Sequence, residues 1–273
     1  MNKHHSRREG AAKRAILVVS FGTSYMDTLQ KTIAAIEADI QEAYPDWEVR
    51  RAFTSGMVIN KLKDRDNIYI SNVNDAVRRL AEEGFSALVV QPTHVIRGLE
   101  YEKMLRDISP YADRFDTIAY GDPLLGAPES LRRTAMALIE EFGAPQPDSA
   151  IVLMGHGTPH PANAAYTDLE TLLHAMGQPH ILIGTVESFP GLKEVLAGAK
   201  SAGVSRATLA PLMIVAGDHA LNDMAGEEED SWKNAFAAAG FQVDIRLRGL
   251  GECPAIRAIL THHTGQAINR TIQ

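Results

Sequence analysis

His156, Glu187 and His219 are the residues of this chain whose types and spacing best suit a single metal site. They lie 31 residues apart (156 to 187) and then 32 apart (187 to 219), about the length of one strand–helix–strand unit. Each follows a short apolar run. Residues 150–154 lead into Gly155-His156-Gly157, residues 181–186 into Glu187, and residues 208–216 into Gly217-Asp218-His219. Successive parallel strands point the same way, so three such units would gather these side chains at one carboxyl edge, where open α/β sheets bind ligands. Two imidazoles and a carboxylate suit a divalent transition ion and leave coordination positions open. A histidine between two glycines has little side chain beside it to pack against, so His156 is read as exposed in a cleft. Glu187 alone would read as a surface carboxylate; its spacing from the two histidines brings it into the set.

The elements that must position this trio are written twice. Residues 15–19 lead into Ser20-Phe21-Gly22-Thr23, as 150–154 lead into Gly155-His156-Gly157-Thr158. Pro92 is followed by Gly98 and Glu100 at the intervals at which Pro211 is followed by Gly217 and His219. The run 49–53, ending near Ser55, answers 181–186. These runs are β-branched and strand-length, the profile of strands buried on both faces. Helical periodicity fills segments between them, at 27–42, 73–83, 192–202 and 227–239. The alternation gives an α/β fold class: two pseudo-symmetric domains, each a parallel β-sheet flanked by helices. The domains are expected at 12–127 and 145–273. The join falls within 121–148, where Pro123, Gly126, Pro128, Gly143, Pro145 and Pro147 cluster. The site is expected in the cleft between the domains.

The two halves differ at the positions that matter. Phe21, roughly Ser55, and Glu100 stand where the second half has His156, Glu187 and His219, so the first half is free to hold an organic substrate. Its basic residues Arg50, Arg51, Lys61, Lys63, Arg65 and Arg97 suit an anionic one, because guanidinium forks match carboxylates and phosphates. Ser20, Phe21, Arg51 and Lys61 are candidate substrate contacts. His94, inside an apolar run, reads as a satisfied, partly buried histidine, His160 and His174 as solvated or core-edge, and His262-His263 as surface. The acidic run Glu227-Glu228-Glu229-Asp230 reads as the first turn of a helix, where carboxylates favour the positive end of the dipole.

Composition excludes several other classes. The 27 basic and 34 acidic residues leave a net charge of −7, which argues against a general nucleic-acid binder. No apolar run approaches the ~20 residues that span a bilayer. The polar N-terminus, which includes His4 and His5, lacks the pattern of a secretory signal, so a cytoplasmic location is expected. With Cys253 as the single cysteine, neither an internal disulfide nor a thiolate cluster can form. Gly155-His156-Gly157 lacks the third glycine of a dinucleotide fingerprint.

The motifs resemble a known family. They are Ile16-Leu-Val-Val-Ser-Phe-Gly-Thr-Ser24, Arg51-Ala-Phe-Thr-Ser-Gly56, Met154-Gly-His-Gly157, Val186-Glu-Ser188, Pro211-Leu-Met213, Val215-Ala-Gly-Asp-His-Ala220, Asn222-Asp-Met224 and Gly249-Leu-Gly-Glu252. Together, from about Lys13 to about Ala267, they resemble the anaerobic-pathway sirohydrochlorin cobalt chelatases, which share the fold of the class II ferrochelatases. The resemblance implies cobalt ligation by His156, Glu187 and His219, with Co2+ as the substrate metal and Fe2+ or Ni2+ as alternatives. It places Glu100, of Gly98-Leu-Glu-Tyr-Glu102, on the substrate side. The implied reaction inserts Co2+ into sirohydrochlorin during cobalamin biosynthesis. A neutral histidine serves as ligand and base for pyrrole deprotonation, and the substrate's eight carboxylates give the basic residues a partner. A carrier without catalysis and a metal-dependent hydrolase are the other readings of the ligand set, and a homo-oligomer is left open.

Overall fold

The structure, a computed structural model, describes residues 13–143 and 145–271; His4 and His5 lie outside them. The first half runs β1 (Arg14–Ser20), α1 (Met26–Lys31), α2 (Ile33–Ala43), β2 (Glu48–Phe53), α3 (Gly56–Asp66), α4 (Val73–Glu82), β3 (Ala87–Pro92), α5 (Leu99–Ile108) and β4 (Thr117–Tyr120). After α6 (Pro128–Phe142) the second half repeats the pattern: β5 (Ser149–Gly155), α7 (Ala164–Ala175), β6 (Ile181–Thr185), α8 (Leu192–Ser201), β7 (Arg206–Pro211), α9 (Trp232–Ala238), β8 (Gln242–Ile245) and α10 (Pro254–Thr271). The two sheets have matching strand orders, β2-β1-β3-β4 and β6-β5-β7-β8. Every pairing is parallel. Leu153 of β5 stands opposite Ile183 of β6 on one side and Ala210 of β7 on the other. The expected fold class is therefore the observed one: two four-stranded parallel sheets flanked by helices.

Several local expectations are corrected. The periodic stretch 27–42 is two helices, broken at Thr32, whose hydroxyl donates to the Thr28 carbonyl at 2.5 Å. Such back-bonding by a β-branched hydroxyl bends helices. The Pro- and Gly-rich stretch 121–148 is not merely a linker, since α6 fills it. Pro128 sits where a helix start tolerates the missing N–H. The acidic run 227–230 precedes α9 instead of forming its first turn. Ser231 is the N-cap, its hydroxyl accepting from the Asn234 N–H at 3.2 Å, and the Asn234 amide binds the carbonyls of Glu227 and Glu228.

The packing also redraws the expected division at 145–273, because α10 returns to the first sheet. Arg270 donates to the Tyr120 carbonyl, Thr264 to the Gln91 side chain, and Arg257 to Asp39 at 2.7 Å. His263 is only 2 % exposed, not a surface residue. Its ring lies between the Asp122 carbonyl at 2.9 Å and the Ser130 hydroxyl at 2.7 Å. One continuous core results. It contains Ile16, Val18 and Val89 from the first sheet, Ile151, Leu153 and Ile183 from the second, and apolar residues of α2, α6, α7 and α10 between them. Separate outer cores back each sheet. The two sheets thus share a common base, and their carboxyl edges are held by it.

Leu260 of α10 is fully buried in that shared core. Leu260→Ala should cost about 2–5 kcal/mol and lower the unfolding midpoint of the whole molecule in a single transition. Calorimetry resolving two separate transitions, only one of them shifted, would contradict a core common to both sheets.

Candidate metal centre

His156 follows β5 directly, and its loop admits only glycine on either side. A Cβ on Gly155 would lie 2.5 Å from the Tyr166 ring. Gly157 has φ +84, and a Cβ there would strike the Thr185 side chain at 2.8 Å. Tyr166, from α7, is buried beneath this turn with its hydroxyl against the backbone N–H groups of His156 and Gly157. Burial pushes its pKa up to about 12. Glu187 stands two residues beyond β6, in a bend whose backbone is still bonded to the end of β5 and the loop after it. The Val186 N–H donates to the Gly155 carbonyl at 3.0 Å and the Glu187 N–H to the His156 carbonyl at 2.9 Å. The Thr185 hydroxyl donates to the Ser188 carbonyl at 2.7 Å and closes the turn.

His219 does not stand at a strand end as its sequence context implied. β7 ends at Pro211, and seven further residues lead to His219 at the start of a π-helical turn, Ala220–Met224. Backbone bonds carry the segment back to the edge: Leu212 N–H to the Met154 carbonyl at 2.7 Å, Leu250 N–H to Met213 at 2.8 Å, and Gly251 N–H to Ile214 at 3.0 Å. Buried Ala220 and Met224 anchor the turn.

One ligand atom from each of His156, Glu187 and His219 lies within 4.8 Å of the others. The two imidazole rings meet edge to face with centroids 4.6 Å apart. Nδ1 of each ring is already engaged, and that of His156 also lies 3.7 Å from a Glu187 oxygen. His156 Nδ1 donates to the Gly157 carbonyl at 2.9 Å, and His219 Nδ1 lies 2.6 Å from an Asp223 carboxylate oxygen. Both contacts leave Nε2 with a free lone pair, the arrangement that orients histidine ligands. The trio is partly exposed, so a bound ion would keep positions open on the cleft side.

The first-half candidates separate into two groups. Phe21 faces the trio, its ring 6.5 Å from that of His156. Lys61 lies over the Tyr25 ring at 5.7 Å, and the Tyr25 hydroxyl reaches Asp218 Oδ1 at 3.4 Å, which puts Lys61 on the same rim. Glu100 lies in the first turn of α5, its Oε2 buried and without a partner among the described residues. The structure does not bring Ser20 or Arg51 to the trio in this way. Ser20 is 2 % exposed, its hydroxyl accepting from Thr93 at 2.8 Å. Arg51 is clamped by Glu37 through two bonds of 2.7 and 2.5 Å. It lines a surface cavity of about 530 Å³ against α2 that shares no residue with the trio. Arg50, Arg65 and Arg97 are likewise paired with carboxylates.

His94 is also corrected. Neither ring nitrogen has a partner among the described residues, and burial, with Lys103 nearby, pushes its pKa down to about 4. Residue types alone did not point to Asp223, Tyr166 or Thr185 as supports of the site. The i, i+4 spacing of His219 and Asp223 was the one available signal for the first.

This geometry, set beside known proteins, decides the family. The model of the cobalt chelatase (CbiK) family matches residues 14–269. The chain belongs to that family. It is 42 % identical over 261 residues to the sirohydrochlorin cobaltochelatase of Salmonella typhimurium, covering 96 % of this chain and 98 % of the relative. It is 32 % identical to the sirohydrochlorin cobaltochelatase CbiKC of Nitratidesulfovibrio vulgaris, covering 94 % and 91 %. In fold it is similar to SirB from Bacillus subtilis, solved with Fe3+, at a TM-score of 0.66 and 17 % identity over 96 % of this chain and 98 % of that one. No helix among the described residues of this family member is long and apolar enough to cross a membrane.

Two outcomes are expected from the site. Asp223→Ala should weaken cobalt binding about 10–100-fold, the usual cost of removing the partner of a histidine ligand; unchanged affinity in a cobalt titration would contradict its role. His94 stays neutral in the folded protein while the unfolded chain protonates it near 6.5. Its contribution is therefore full above about pH 6.5 and is lost as pH falls toward 4, at ~1.4 kcal/mol per unit. His94→Gln should flatten that part of the stability–pH curve, and an unaltered slope would contradict it.

Proposed function

We propose that the chain inserts Co2+ into sirohydrochlorin, with His156, Glu187 and His219 holding the ion on one wall of the cleft and the first half holding the tetrapyrrole on the other. The observation that carries this reading is the trio itself, three convergent donors facing the Phe21 ring in a member of the cobalt chelatase family. The names of the two sirohydrochlorin cobaltochelatases support the same substrate. Fe2+ and Ni2+ suit the donor set as well and are the alternative metals of the same reaction.

Insertion exchanges one dication for two pyrrole protons. Three protein donors strip most water from the ion while leaving positions for ring nitrogens. Nδ1 of both histidines is tied to a carbonyl or carboxylate, so each offers Nε2 to the ion in the neutral form. As the ion passes to the ring, each freed Nε2 can accept a pyrrole proton, and the Asp223 carboxylate would stabilise the imidazolium formed at His219. Glu187 lowers the net charge of the bound ion and provides a third acceptor. Glu100, across the cleft in the pseudo-symmetric position, would face the opposite side of the macrocycle. Lys61, free of any carboxylate pair among the described residues, is the basic residue best placed to meet a substrate carboxylate. Arg51 would have to leave Glu37 first.

His156→Ala and His219→Ala should each abolish insertion, followed by the spectral change of sirohydrochlorin on adding Co2+, while circular dichroism remains native. Lys61→Ala should weaken tetrapyrrole binding ~2–5-fold, the scale of an exposed charge contact, and Arg51→Ala should weaken it less. Near wild-type turnover in either histidine variant would sink the ligand assignment. A larger loss in Arg51→Ala than in Lys61→Ala would reverse the assignment of the basic residues.

A further inference from the structure

Among the described residues, two side-chain hydrogen bonds join the walls at the mouth of the cleft. Tyr25–Asp218 is long, at 3.4 Å. The other links Glu102 of α5 to His160, with Glu102 Oε1 3.1 Å from His160 Nε2. The opposite ring nitrogen, His160 Nδ1, accepts from the Ala162 N–H at 3.1 Å, which places the proton of the neutral ring on Nε2, directed at Glu102. The contact then continues inward. The His160 N–H donates to the Thr158 hydroxyl at 3.2 Å, the Thr158 N–H to Asn163 Oδ1 at 3.0 Å, and Asn163 Nδ2 to the Phe189 carbonyl at 2.6 Å. One chain of bonds therefore runs from α5 through the loop after His156 to the turn that carries Glu187.

The ends of this chain lie next to the chemistry. Glu102 is two residues from Glu100, His160 four from His156, and Phe189 two from Glu187. The start of α5 also approaches the loop closely, since a Cβ on Gly98 would stand 3.6 Å from the Thr158 methyl. The pair itself is half open to water, with side-chain exposures of 24 % for His160 and 46 % for Glu102. Exposed pairs of this kind contribute little to stability. The shared core, not this contact, holds the molecule together, so its effect should be read in the alignment of the walls.

We propose that Glu102 and His160 are positioning residues for metal insertion: their bond sets the spacing between the substrate wall on α5 and the metal trio. The proposal rests on the chelatase reading. Neither residue belongs to the metal-ligand trio. The bond fixes where Glu100 and the start of α5 stand relative to His156 and Glu187, and ångström-scale misplacement of reacting partners costs up to about 10²-fold in rate.

The test compares Glu102→Ala, Glu102→Gln, His160→Ala and the alanine double variant of the full chain. Glu102→Ala and His160→Ala should each lower kcat/KM for sirohydrochlorin about tenfold, with cobalt affinity and melting temperature unchanged. Glu102→Gln should retain most activity, because its amide oxygen still accepts from Nε2–H. The double variant should be no worse than either single one. Hydrogen exchange, read without substrate, should quicken across residues 157–163 in both alanine variants and not in Glu102→Gln. Wild-type exchange in Glu102→Ala, additive losses in the double variant, equal loss in Glu102→Gln, or a fall in cobalt affinity would each overturn the proposal. Absence of insertion by the wild-type protein would overturn the chelatase reading instead, and exchange would still decide whether the pair holds the loop.

Discussion

The parallel direction of β6, β5 and β7 is the constraint on which the site depends. Because these neighbours run the same way, the chain leaves each of them at one edge, and residues separated by whole strand–helix units come together. Backbone bonding between neighbouring segments does not stop where the strands do. Backbone bonds from Val186 and Glu187 to Gly155 and His156, and from Leu212 to Met154, continue it into the loops. The three candidate ligand side chains therefore stand on backbone that is already fixed, which is the condition for a site that would take up and release an ion without rebuilding itself.

The two halves carry different burdens within one architecture. In the second, each histidine has Nδ1 tied to a carbonyl or a carboxylate, and Tyr166 fills the space beneath the His156 turn. In the first, the matching edge has Phe21 and Glu100 in place of the histidines, and most guanidinium groups are neutralised by neighbouring carboxylates. The two edges therefore present different chemistry, although the two halves share one strand order. Their common base is the core between the sheets, closed by α10.

Much of this was legible in the sequence because it rests on short-range pattern. Buried parallel strands read as continuous apolar runs, and the Gly155-His156-Gly157 and Gly217-Asp218-His219 motifs stand two βαβ intervals apart, with Glu187 midway between them. The extent of β7 was not legible. Leu212, Ile214 and Ala216 are apolar because they are buried in a loop, and a buried loop held by scattered backbone bonds looks like strand. The return of α10 to the first sheet could not be read either, since its partners, among them Gln91, Asp122 and Tyr120, lie more than 130 residues away. For the same reason His263 looked like a surface residue. Thr32 and Ser231 altered helix ends through side-chain bonds, which periodicity does not register. The pairing of Arg51 with Glu37 shows why a cluster of positive charge in sequence overstates the charge available to a ligand.

The central claim is that a single ion is held by His156, Glu187 and His219. Anomalous diffraction at the cobalt edge, from crystals of the protein loaded with one equivalent of Co2+, tests it most directly. The account predicts one strong peak bonded to Nε2 of both histidines and a Glu187 oxygen, at about 2.0–2.2 Å. A dominant peak among Glu227, Glu228 and Asp230, or one bonded to Nδ1 with Asp223 displaced, would contradict it.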